Sequence, residues 1–214
     1  FCVIDMSNFY LDIIKDRLYC EDKDGARRRS AQSAIYMILD CMIRMLAPIL
    51  SFTAEEVWQS MPHSDSEDVE SVMFNDMPKF CEEYVFNDKK EARWNNLRAL
   101  RSDVNKALEL ARADKTIGKP LDAAVTLYIS DAARDGFDSI ADIDLPKAFI
   151  VSSVQAVYGD GNGYASTEFD GVKILVEAAD APKCVRCWTH DPKVGTDPEH
   201  PELCPRCAEV VSRM

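Results

Sequence analysis

Four cysteines near the end of this 214-residue chain constrain its fold more than any other feature: Cys184-Val-Arg-Cys187, sixteen residues, then Cys204-Pro-Arg-Cys207. A Cys-x-x-Cys turn presents two thiolates on one side, and two such turns facing each other build the closed tetrahedral sulfur cage that Zn²⁺ prefers. The residues between the pairs are rich in Pro, Gly and His, with too few apolar side chains for a core. A knuckle of this size depends on its metal to fold. Two disulfides are the alternative, but the chain shows no signal peptide and is expected to be cytoplasmic, where thiols stay reduced. A redox role is disfavoured on the expectation that neither pair sits at a strand-to-helix junction. The spacing therefore predicts one structural zinc per chain, held by Cys184, Cys187, Cys204 and Cys207, with His190 and His200 left in a solvated loop. Having no open coordination position, the metal is expected to hold shape and to present Arg186, Trp188, Lys193 and Arg206 to a partner.

The formal net charge of -12 argues at face value against nucleic acid, which is bound chiefly through Lys and Arg. Distribution matters more. From Met61 to Tyr84 there are seven acids against Lys79 alone, whereas Val85 to Lys119 holds nine basic residues against five acids. A basic element thus survives inside an acidic chain. No run of eighteen apolar residues is present, so no membrane span is expected. The chain opens at Phe1 inside a helical pattern, as expected of an excised piece of a longer protein. Cys2, Cys20, Cys41 and Cys81 lack metal spacing and read as reduced thiols.

The first half is helical by pattern. Leu11, Ile14 and Leu18 recur at helical spacing; Asp24-Gly25 breaks that helix. Ala31, Ala34, Ile35, Ile38, Met42 and Met45 mark a second, which Pro48 ends. Thr53-Ala-Glu-Glu56 reads as a capping box opening a short helix. The acidic stretch from Pro62 to Glu83 reads as a mobile loop. A third long helix runs from about Phe86 to Asp114, with an apolar stripe of Leu97, Leu100, Val104, Ala107, Leu108 and Ala111. Three such helices are expected to bury their stripes against one another. After Ile117-Gly-Lys-Pro120, Val125, Leu127 and Ile129 alternate as a strand. A short helix follows around Asp131 to Ile140, and Phe149–Tyr158 and Val172–Val176 read as further strands. Gly159-Asp-Gly-Asn-Gly163 lacks the Lys-Ser/Thr of a phosphate loop and reads as a loose turn.

No catalytic constellation is visible: His63, His190 and His200 all fall in loops, and no G-x-S-x-G or H-E-x-x-H occurs. The third helix is the better candidate. At about 100° per residue, Trp94, Arg98, Arg101, Asn105, Glu109 and Arg112 share one face away from the apolar stripe. Guanidinium groups so spaced pair with successive phosphates, and an indole in the row stacks on a base. A plain solvated charge row with Trp94 at the core border fits the same pattern.

Ser7-Asn-Phe-Tyr-Leu-Asp-Ile-Ile-Lys-Asp-Arg-Leu-Tyr19, Leu46-Ala-Pro-Ile-Leu-Ser-Phe-Thr-Ala-Glu-Glu-Val-Trp58, Arg98 to Gly118 with Glu109-x-Ala-Arg112, and Lys183-Cys-Val-Arg-Cys-Trp188 together resemble the C-terminal anticodon-binding region of bacterial isoleucyl-tRNA synthetases, zinc tail included. The resemblance implies a mainly α chain: a helical anticodon-binding bundle over 1–117, a small α+β junction domain over 118–180 and a four-cysteine zinc-binding tail, or zinc knuckle, over 181–214. It implies binding of the isoleucine tRNA anticodon stem-loop by a monomer, with Lys15, Arg17, Trp94, Arg98, Arg101, Arg112 and Trp188 as RNA-facing or structural positions. In that family the intact enzyme ligates isoleucine to tRNA with ATP on a separate catalytic domain. The H-I-G-H and K-M-S-K-S signatures of that domain are absent here, so no catalytic residue is assigned. The valyl enzymes share the bundle without this tail. The alternatives are a zinc-finger DNA-binding module of the DNA-glycosylase type, the anticodon domain of a related class I synthetase such as valyl, and a protein-interaction scaffold.

Overall fold

A computed structural model describes residues 1–214. It is mainly helical, with one small sheet and a cysteine knuckle, which agrees with the architecture read from the sequence. No helix is long and apolar enough to cross a membrane. Contacts group the residues into two compact units, Asp22–Val85 and the combination of Phe1–Glu21 with Phe86–Met214.

In the larger unit, Cys2–Leu11 is wound as a π-helix that runs directly into helix α1, Asp12–Cys20. The expected first helix therefore exists, but its opening turns are wider than α-helical: the Met6 N–H reaches the Phe1 carbonyl, five residues back. In the smaller unit, α2 spans Ala26–Leu46 and α3 spans Ser51–Trp58. The buried anchors of α2 are Ala31 and Ile43, while Met45, assigned to the apolar face, is exposed. The capping box at Thr53 does not form. The helix begins two residues earlier, capped by no side chain, and Glu55 instead accepts hydrogen bonds from Ser71 Oγ (2.8 Å) and the Val72 N–H (3.1 Å).

Those bonds fasten part of the acidic segment, which is irregular. Arg44 Nη2 binds Glu67 Oε1 at 2.6 Å, and the buried Trp58 donates its indole N–H to the Asp68 carbonyl at 3.2 Å. The segment is irregular, as its low net hydrophobicity predicts, and a few polar contacts fasten its middle.

Back in the larger unit, α4 spans Asp88–Ala113, with Asn87 at its N-cap accepting from the Lys90 N–H. It ends because Lys115 takes up φ of 60°, letting the Thr116 N–H reach the Ala111 carbonyl and the Lys115 N–H reach the Arg112 carbonyl, a Schellman closure. Every residue of its predicted stripe is buried. The stripe packs on a sheet, not on other long helices, which corrects the expectation of mutual helix burial. Strand β1, Ala123–Ile129, has Val125, Leu127 and Ile129 on one face, and that face needs a cover; α4 supplies it.

Between β1 and β2 lie α5, Arg134–Asp138, and α6, Leu145–Phe149. Phe149, read as strand, is helical, because Pro146 sits in a first turn capped by Asp144 and Ile150 ends it with φ of 59°. Strands β2, Ser153–Tyr158, β3, Tyr164–Ala165, and β4, Val172–Ala178, complete the sheet in the order β2-β1-β4-β3, with β1 parallel to β2 and antiparallel to β4. Two glycines of the run before β3 are close-packed, a Cβ on Gly161 meeting the Tyr128 ring at 2.2 Å and one on Gly163 (φ 134°) the Ile174 carbonyl at 2.4 Å, while Gly159 has open space beside it. A final helix, α7, spans Pro205–Val211.

Candidate metal centre and nucleic-acid interface

The four tail thiols converge. Their sulfurs all lie within 4.8 Å of one another, and Cys184, Cys187, Cys204 and Cys207 are all buried. Cys187 Sγ and Cys204 Sγ are 3.8 Å apart, which matches the edge of a tetrahedron with Zn–S bonds of about 2.3 Å. Hydrogen bonding from the Cys207 thiol holds Cys187 below the ordinary thiol range. Four sulfurs and no free position make this a structural site for one zinc, and its chemistry is shape, not water activation. Local backbone supports it: the Trp188 N–H closes onto the Cys184 carbonyl (2.9 Å), with Trp188 at φ of 64°, and the Val185 N–H reaches the Glu202 carbonyl (3.2 Å).

Cys204 is the N-cap of α7, with Cys207 in the first turn. No strand leads into α7, so neither pair sits at a strand-to-helix junction, and four mutually adjacent thiols describe a metal cage and not a redox pair. His190 is not a ligand. Its Nδ1 lies 2.6 Å from the Ala181 carbonyl, its Nε2 3.4 Å from Asp122 Oδ1, and its N–H donates to Ser152 Oγ at 2.8 Å. It pins the knuckle to the sheet, helped by a Lys183–Asp122 ion pair. On the other side Arg206 forks onto Asp16 of α1 at 2.6 and 2.8 Å, and Arg186 Nη1 donates to the Cys20 carbonyl at 2.6 Å. Burial pushes the Asp16 carboxyl up, but the bonds from Arg206 and Lys147 outweigh it and hold the group at about 2. Arg186 and Arg206, expected to face a partner, therefore face inward.

The predicted RNA positions fall into three groups. Trp94, Arg98 and Arg101 converge on the N-terminal π-helix. Trp94, 38% exposed, stacks on Phe86 and meets Phe9 edge-on; Arg98 pairs with Asp5 at 2.6 Å and lies 4.7 Å over Phe9. Arg101, only 8% exposed, binds the Ala148 carbonyl, the Asn8 carbonyl and Asp12 Oδ2 at 2.9, 3.0 and 2.8 Å. A guanidinium used this way holds the fold; the helical wheel separated it from the stripe, but the N-terminal segment covers that face too. Lys15 is exposed and paired with Asp12, and Trp188 is 55% exposed with Lys119 5.2 Å over its ring. Arg17 is half-buried on α1, and Arg112 pairs with Glu109 near the end of α4.

Lys15 and Trp188 share a wall. A cavity of about 470 Å³ opens where α1, α6 and the knuckle meet, lined by Ile13, Tyr19, Pro146, Val151 and Trp188, with Lys15 on its rim. A second, polar cavity of about 520 Å³ continues past Lys15, Asp12 and Ile150 to Asn8 and Asn105. An apolar cavity with a cation beside it is roomy enough for an unstacked base and places a positive charge for its phosphate. Sequence reasoning missed Asp16, Lys147 and Asp122, whose role is set by partners far away in the chain.

Residues 1–127 match the family described as the anticodon-binding domain of tRNA ligase, and residues 182–210 match the zinc finger found in FPG and IleRS. The chain is 43% identical over 215 residues to the isoleucine–tRNA ligase of Desulforudis audaxviator, covering 99% of this chain and 23% of that protein. It is 45% identical over 212 residues to that of Geobacter sulfurreducens, covering 99% and 22%. The chain thus spans less than a quarter of the length of these curated relatives.

Proposed function

The chain belongs to the anticodon-binding domain family of tRNA ligases, and on that premise we propose that it is the anticodon-binding region of an isoleucine–tRNA ligase and that it holds the anticodon stem-loop of isoleucine tRNA. The observation that carries this reading is the apolar cavity between α1 and the knuckle, flanked by Lys15 and Trp188 and continued by a polar cleft. Lys15, Arg17, Trp94, Arg98, Arg112 and Trp188 are its RNA-facing residues; Arg101 positions the N-terminal segment. The segments 1–117, 118–180 and 181–214 act as bundle, junction and metal-held tail of the RNA-binding region. The protein works as a cytoplasmic monomer, and ATP belongs to a catalytic domain outside these residues, so isoleucine-dependent pyrophosphate exchange by this chain stays at background.

The zinc-finger family matched by residues 182–210 is found in FPG as well as in IleRS, so DNA binding of the glycosylase type is the second reading. The match over residues 1–127 favours RNA. Competition of a labelled isoleucine tRNA anticodon stem-loop against unlabelled stem-loop and duplex DNA tests the reading: the stem-loop should compete and the duplex should not. Equal competition would support the DNA-binding reading instead.

A further inference from the structure

Each Cys-x-x-Cys turn carries an arginine just before its second cysteine, Arg186 and Arg206, and both arginines reach the same helix. Arg206 forks onto Asp16 and approaches Glu21 at 3.7 Å; Arg186 Nη1 sits 2.6 Å from the Cys20 carbonyl and 3.7 Å from Cys207 Sγ. Asp16 is further gripped by Lys147 of α6 at 3.0 Å. A zinc bound by four thiolates leaves two excess negative charges in a buried place, and such charge needs compensation from hydrogen-bonded cations. Here the cations that stand next to the sulfurs are the ones that hold α1.

We propose that Asp16, Arg186 and Arg206 are positioning residues that couple zinc binding to the docking of α1, so that the metal also sets one wall of the cavity lined by Tyr19 and Trp188. The inference rests on the assignment of zinc to the four cysteines. Coupling of this kind is reciprocal: if zinc favours the docked helix, the docked helix favours zinc by the same factor. Asp16 touches no sulfur in the cage and lies 168 residues from the first of the four cysteines in sequence, which makes it the informative position. A knuckle that folds around its metal independently would ignore a change there.

The test is a zinc affinity measured by chelator competition on the whole chain, with the sulfur-to-metal charge-transfer bands of the Co²⁺ form as the signature of an intact four-sulfur site. Asp16→Asn should weaken zinc binding about tenfold while the Co²⁺ spectrum keeps its tetrathiolate form. Arg206→Lys, which keeps the charge but loses the fork, should fall between Asp16→Asn and wild type. Glu209→Gln on the outer face of α7 should change nothing. Hydrogen exchange of the wild-type chain needs no variant: removing zinc should speed exchange of the amides of Asp12–Cys20. Asp16→Asn binding zinc as wild type does, or α1 protection unaltered by chelation, would overturn the coupling while leaving the zinc assignment intact. A wild-type chain that takes up no metal would overturn both.

Discussion

The carboxylate of Asp103 accepts a 2.9 Å hydrogen bond from the backbone N–H of Phe169, and it does so fully buried. The same side chain accepts from the N–H groups of Thr167 and Glu168 and from Thr167 Oγ1 at 3.1, 2.8 and 3.1 Å. One residue of α4 thus organises the loop that leads into β4. Removing the carboxylate leaves several buried donors without an acceptor. Asp103→Ala should lower stability by about 2–4 kcal/mol in urea denaturation, with Asp103→Asn less severe.

That carboxylate also predicts a pH dependence. Burial raises its pKa, but the backbone N–H bonds outweigh this and hold it below the ordinary Asp value. Asp16 behaves alike, at about 2. Because both folded values lie below the unfolded one, their contribution is present above the unfolded pKa of about 3.9 and is lost as pH falls through the folded values. Melting temperature should therefore drop between about pH 4 and pH 2, and Asp103→Asn should flatten that drop.

Arg101 tests the division between holding and contacting. Arg101→Met removes the bonds to the Ala148 and Asn8 carbonyls and to Asp12, which keeps only Lys15, and should cost about 3 kcal/mol in thermal or chemical denaturation. In the conditions where the variant remains folded, the salt dependence of its RNA binding should match wild type. Lys15→Ala should reduce that salt slope by about one phosphate contact. Trp188→Ala should instead cost a stacking contribution of about 1–3 kcal/mol with the slope unchanged.

The parts legible in the sequence were those set by short-range periodicity or spacing. The cysteine pairs lie on two tight turns, the α4 stripe repeats through a long uninterrupted helix, and β1 alternates between two faces. The parts that were not legible depend on partners distant in the chain. Arg101 belongs to a basic row on the wheel, but its three bonds run to residues 8, 12 and 148. Arg186 and Arg206 look like exposed cations within a knuckle and turn out to be claimed by α1. Thr53-x-x-Glu56 had the form of a cap, yet the chain enters α3 at Ser51 and uses Glu55 to fasten a loop. Composition marks the acidic segment as irregular but does not reveal that Arg44 and Trp58 bind it at Glu67 and Asp68.

Metal removal separates the tail from the core. Chelation of zinc should unfold the knuckle around Cys184–Cys207, seen as one equivalent of released metal, while the cooperative melt of α4 against the sheet persists. The core does not include the cysteines: its buried cluster runs from Leu97 to Ile174, and the thiols form a cluster of their own with Cys20. Cys204→Ser should lower zinc content sharply without abolishing that melt.

The most direct measurement is a fluorescence-anisotropy titration of the zinc-loaded chain with the isoleucine tRNA anticodon stem-loop, beside a stem-loop of the same stem with all three anticodon bases changed. With a net charge of -12, binding should be weak and should fall as salt rises. The account predicts saturable binding to the first RNA and a loss of about tenfold or more for the second, about 1.4 kcal/mol, because sequence in a single-stranded loop is read by hydrogen bonds to the base edges. Equal affinity for the two stem-loops, or no binding to either at low salt, would contradict it.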